Sequence, residues 1–139
     1  MPIEPDDIII NKAGIIERSL RRVLEEYRAD PALTLYTHID ALTLNLERAC
    51  QAAIDVAIHI CSTQRLGIPQ TSSDAFKLLE KAGLLHKETT KKMISMVGFR
   101  NIAVHEYQTM DMNILRTIAE HDWKSLVDYL AQLGIHIQP

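Results

Sequence analysis

Apolar residues recur at helical spacing along most of this chain. Ile9, Ala13, Ile16, Leu20, Val23 and Tyr27 follow one another at alternating intervals of four and three, one apolar stripe on a first helix. Asp6 and Asp7 precede it, where acidic side chains meet the free N–H groups and positive end of a helix, and Pro31 stops it. Leu42, Leu46, Ala49, Ala53, Val56 and Ile60 carry the same rhythm on a longer second helix that should end near Gly67 and Pro69. The small Ala49 and Ala53 let a neighbouring helix approach closely. Thr71-Ser72-Ser73-Asp74 offers caps for a short third helix, Ala75 to about Lys81, closed by Gly83. A fourth begins near Lys87 and places Met93, Val97, Arg100 and Val104 on one stripe. A fifth starts at Asp111 with Leu115, Ala119, Asp122, Leu126, Leu130 and Leu133 on one side, Trp123 flanking them and Gly134 after. No segment alternates convincingly as a strand, and there is no internal repeat. The pattern predicts an all-α, up-and-down bundle of about five helices, one of them a short accessory helix.

Composition agrees. Of 139 residues, 47% are apolar and only 5% aromatic, so the core is expected from Leu, Ile, Val and Ala in one domain spanning residues 1–139. No apolar run approaches the roughly 20 residues that cross a bilayer. The opening Met1-Pro2-Ile3-Glu4-Pro5-Asp6-Asp7 is acidic and broken by prolines, the opposite of a signal peptide. A cytoplasmic protein without membrane contact is the expectation. Cys50 and Cys61 sit on one helix face about 16 Å apart, beyond disulfide reach, and read as two buried thiols. His59 pairs with Asp55 at helical spacing. His38, His86, His121 and His136 are scattered, so neither a metal nor another cofactor is expected.

Charge is segregated. Between Lys77 and Arg100 six cations face two acids, a net +4, although the whole chain carries −3. This basic block would draw a polyanion, with Lys87, Lys91 and Lys92 as candidate RNA guides. It runs into Arg100-Asn101-Ile102-Ala103-Val104-His105-Glu106-Tyr107, the densest polar chemistry in the chain. Cleaving RNA without a metal needs a base for the ribose 2′-OH proton, an acid for the leaving oxygen, and a fixed cation for the transition-state charge. Imidazole fills either proton role near neutrality, and guanidinium matches two phosphate oxygens. Arg100 and His105 are those residue types, and Asn101 is placed to orient either. On an unbroken helix, however, Arg100 and His105 diverge by about 140°, whereas Asn101 and His105 share a face and Arg100 and Tyr107 align. Either the helix breaks near Val104 or two copies of the motif meet in a dimer.

The motif Arg100-Asn101-x3-His105-x-Tyr107 resembles the signature of the HEPN superfamily, and in particular of its HepT toxin branch. Met96-Val97-Gly98-Phe99, the run Leu44-Asn45-Leu46-Glu47-Arg48-Ala49 through Ile54-Asp55-Val56-Ala57, and Leu66-Gly67-Ile68-Pro69-Gln70 extend the resemblance over most of the chain. It implies a helical homodimer acting as a metal-independent endoribonuclease, the toxin of a toxin–antitoxin pair, with Arg100 and His105 catalytic and Asn101 supporting. It also implies an antitoxin partner, the minimal nucleotidyltransferase MntA, that transfers AMP from ATP onto Tyr107. The alternative is a non-catalytic helical subunit that presents substrate to a nucleotidyltransferase.

Overall fold

The computed structural model describes residues 3–139, so Met1 and Pro2 of the acidic opening lie outside the described residues. Within them the chain forms six α-helices and no strand: α1 Asp7–Ala29, α2 Tyr36–Thr63, α3 Ser72–Lys81, α4 Lys87–His105, α5 Met112–Thr117 and α6 Lys124–Gln132. No helix among these is long and apolar enough to cross a membrane. The first two stripes are realised as read. Ile9, Ala13, Ile16, Leu20 and Val23 of α1 are buried against the fully buried Leu42, Leu46, Ala49, Ala53, Val56 and Ile60 of α2. Asp6 caps α1 by accepting from the Ile9 amide at 3.0 Å, and Thr71 with Asp74 forms a reciprocal capping box on α3.

α2 is the central helix, with α1, α3, α4 and α6 packed around it. Its small residues matter here. The Tyr129 hydroxyl of α6 donates to the Ala53 carbonyl at 2.9 Å, and Phe76 of α3 meets the Tyr129 ring edge-on at 5.5 Å. Both aromatic side chains are fully buried. Burial pushes the Cys50 thiol up to about 12 and raises the Cys61 thiol, so both expected buried cysteines stay protonated and inert.

Two sequence expectations are corrected. The fifth helix is two helices, α5 and α6, joined by a π turn at Ile118–Asp122 in which the Trp123 amide donates to Ile118 O at 3.0 Å. The inserted residue rotates the register: Asp122 is exposed, while Ile118, Ala119, Leu126, Tyr129 and Leu130 line the core. On α4 the buried side is Met93, Met96, Val97, Phe99 and Ala103, and Val104 faces solvent.

The α1–α2 turn depends on Asp30. Its carboxylate, 5% exposed, accepts from the amides of Leu35 at 2.8 Å and Thr34 at 3.0 Å. These bonds, led by Leu35, hold the carboxyl below its usual range. A depressed folded pKa contributes stability above the unfolded value of about 3.9, lost as pH falls through the folded one. Asp30→Asn should therefore lower the thermal unfolding midpoint by several degrees at neutral pH. The gap to the parent should narrow as pH falls below the ordinary carboxylate range, as read by circular dichroism melts across pH.

Candidate active site at the end of helix α4

α4 does not break near Val104. It runs regularly through His105 and ends at Glu106, whose φ of −137° and ψ of 40° leave the helix, and Tyr107–Thr109 form a single 3₁₀ turn. The first way of aiming Arg100 and His105 at one phosphate within a single copy is thus removed. His105 is exposed and Arg100 half-buried, about 140° apart around a straight axis.

Neither residue is occupied structurally. Among the described residues Arg100 makes no ion pair with a carboxylate, and its one side-chain hydrogen bond is Nη1 to Asn101 Oδ1 at 3.2 Å. His105 makes no side-chain hydrogen bond among the described residues, and it faces an open hollow of about 520 Å³ shared with Val104, Glu106, Tyr107, Gln108 and Thr109. Here the guanidinium remains available to an anion, and Asn101 steadies the arginine rather than the imidazole. No three His, Cys, Asp or Glu side chains among the described residues group as metal ligands.

Arg100 lies on the side of α4 that faces α2. Burial raises the Glu47 carboxyl, and the Arg100 charge opposes that rise. Tyr107 turns the same way. Its hydroxyl donates to Asp40 Oδ1 of α2 beside the buried Thr43. Burial first, then the bond to Asp40, pushes the phenol up to about 12. Asp40, Thr43 and Glu47 are spaced three and four apart, so one polar stripe of α2 runs beneath the end of α4. Sequence reading missed this stripe as site material. Its spacing was the available signal, but nothing local tied it to a residue 67 positions away.

The candidate lysines are placed less directly. Lys87, Lys91 and Lys92 are exposed at the start of α4, and Lys87 lies 18 residues from His105, about 27 Å along the axis. Five full turns separate those two, so Lys87 and His105 share a face, with Lys91 about 40° away. Lys92 lies off that line. The expected His59–Asp55 pair does not form: His59 Nε2 meets Asp6 Oδ2 at 2.5 Å, while Asp55 takes Lys12 at 3.1 Å and Gln51 at 2.9 Å.

Known proteins resemble this chain over most of its length. The profile described as ribonuclease HepT-like matches residues 15–133. An mRNA nuclease HepT from Shewanella oneidensis is 39% identical over 129 residues, 90% of this chain and 97% of that protein. A tRNA nuclease HepT from Aphanizomenon flos-aquae is 40% identical over 68 residues, 46% of its length. Among solved structures, a tri-AMPylated Shewanella oneidensis HEPN toxin in complex with an MNT antitoxin superposes with a TM-score of 0.89 at 37% identity, covering 94% of this chain and 98% of that one. A toxin–antitoxin complex with AMP-PNP gives 0.88 at 36%, covering 93% and 98%. Likeness of fold and sequence over nearly the full length of both chains places this protein in the ribonuclease HepT-like family.

Proposed function

We propose that this chain, one helical domain over residues 1–139, is a metal-independent endoribonuclease and the toxin of a toxin–antitoxin pair. In this reading it works as a homodimer whose cleft joins Arg100 of one copy to His105 of the other. The observation that carries the proposal lies at the end of an unbroken α4, where among the described residues a half-buried arginine has no carboxylate and an exposed histidine has no side-chain hydrogen bond, the two pointing to different sides. A single copy cannot bring them to one phosphate; two copies can.

The face of α4 that bears His105 fits such a contact. Gly98 is exposed, a Cβ built on it meets nothing within 4 Å, and Ile102 one turn on is 40% exposed. An exposed glycine within a helix costs about 0.5–1 kcal/mol relative to alanine, a cost that close approach of a second backbone would offset. In the assembled cleft His105 exchanges protons with the 2′-OH or the leaving oxygen. Arg100 holds the phosphate oxygens as charge develops, Asn101 fixes the guanidinium, and the charge of Lys87 and Lys91 at the other end of α4 draws RNA toward the cleft.

Silencing follows from Tyr107, the acceptor of AMP from an MntA-like nucleotidyltransferase antitoxin. The tri-AMPylated relative supports this reading. Each AMP adds a phosphodiester charge and bulk beside the hollow that His105 lines. The test is cleavage of total RNA by the purified, unmodified protein, with and without EDTA, and again after incubation with antitoxin and ATP. Cleavage is expected in both metal conditions, with its loss tracking the mass of AMP gained on Tyr107. Intact RNA throughout would overturn the enzyme reading in favour of a non-catalytic subunit.

A further inference from the structure

The hydroxyl of Tyr107 is held by groups that nucleotide transfer would need. Asp40 sits on the first turns of α2, exposed, with its Oδ1 accepting from the Tyr107 hydroxyl. Three residues on, Thr43 is 1% exposed and its hydroxyl has no hydrogen-bond partner among the described residues, yet it bears directly on the same phenol. A buried hydroxyl left unpartnered costs stability, and valine would fill that site without the cost. The phenol oxygen thus has a carboxylate to take its proton and a hydroxyl to donate to it once the proton has gone. The ring beside them remains 37% exposed, open to an incoming nucleotide, and the same segment borders a cavity of about 690 Å³ lined by Leu33, Tyr36, Asp40, Gln108, Met110 and Met112.

We infer that Asp40 and Thr43 form a built-in acceptor site that readies Tyr107 for adenylyl transfer, with Asp40 as the base. The inference rests on the reading of Tyr107 as the AMP acceptor. As the phenol oxygen attacks the α-phosphorus of ATP, the Oη–H bond breaks and its proton passes to the Asp40 carboxylate. An Oη–P bond forms, the bond from that phosphorus to the β-phosphate bridging oxygen breaks, and pyrophosphate leaves with the bonding pair. Thr43 donates to the Tyr107 oxygen as its charge grows. The toxin thereby supplies part of the chemistry of its own inactivation, instead of offering a passive hydroxyl to the antitoxin.

The phenol needs such help, because burial and the carboxylate together keep it protonated across the physiological range. The titratable groups bearing on it are Asp40 and Glu47 from α2, and its own segment supplies His105 and Glu106 around the shared hollow. Modification also removes the proton that made the bond to Asp40. It leaves a phosphodiester beside a carboxylate, and like charges there would drive the modified ring away from α2.

The test compares the parent, Asp40→Asn, Asp40→Glu and Thr43→Val, each incubated with the nucleotidyltransferase and ATP, with AMP incorporation followed by intact mass. Asn accepts the same hydrogen bond and cannot take the proton. Asp40→Asn is expected to slow transfer about 100-fold or more, with a rate that rises steadily with pH where the parent's is flat, and Asp40→Glu should recover part of the loss. Thr43→Val should slow transfer several-fold. The circular dichroism spectrum and thermal midpoint of unmodified Asp40→Asn should stay near the parent's, showing that the variant is folded. Transfer to Asp40→Asn at the parental rate would overturn the inference while leaving Tyr107 as the AMP acceptor. A parent that gains no AMP on Tyr107 would overturn both.

Discussion

Alanine at His105 should lower RNA cleavage by roughly a hundred- to ten-thousand-fold, the usual worth of a positioned proton-transfer group, and alanine at Arg100 should cost a comparable factor. Both effects should appear without loss of fold. His105 is exposed, and neither side chain pairs with a residue of another helix among the described residues. Arg100→Lys keeps the charge and loses the planar fork, so it should recover only part of the activity. The decisive measurement mixes the two dead variants. In a heterodimer of Arg100→Ala with His105→Ala, a site shared between copies is rebuilt once, from the arginine of one and the histidine of the other. Equal mixing with random reassociation should then restore about a quarter of the parental rate. A site contained within one copy would stay silent in every combination. Activity in either single variant at the parental level would remove that residue from the mechanism.

The largest effect on stability is expected at the aromatic pair beneath the centre of α2. Phe76→Ala empties a fully buried position and removes the edge contact with Tyr129 at 5.5 Å. The expected loss is about 3–5 kcal/mol, against a total of about 5–15 kcal/mol for a domain. Urea titration should show the midpoint falling steeply with little change in slope. Tyr129→Phe provides the control. It keeps the ring and loses only the hydroxyl bond to the Ala53 carbonyl at 2.9 Å, worth about 1 kcal/mol. A loss for Phe76→Ala no larger than that control would show that the short α3 is peripheral to the core.

Legibility from sequence followed the range of the interactions. The stripes of α1 and α2 and a cap within Thr71–Asp74 were readable because each is written within a few turns of one helix, although Thr71 as the cap starts α3 at Ser72 and not at Ala75. The fourth and fifth helices were read less well. Taking Val104 and Asp122 as core positions assumed a regular stripe, whereas α4 buries Met96, Phe99 and Ala103, and the π turn before Trp123 slips the later register. His59 has Asp55 at helical spacing, yet it meets Asp6 across 53 positions, because Lys12 and Gln51 occupy Asp55.

The division at the site is the same. From the sequence alone came the residue types, Arg100, Asn101, His105 and Tyr107, and the conflict that 100° per residue creates between Arg100 and His105 on one helix. Only the tertiary structure decided that the helix stays intact to His105, that Arg100 remains without a carboxylate, and that Tyr107 turns back onto Asp40 and Thr43. The physical reason is that periodicity records which way a side chain leaves its own helix. What that side chain meets depends on how α2 and α4 pack against each other, and that packing is set by every buried contact along both.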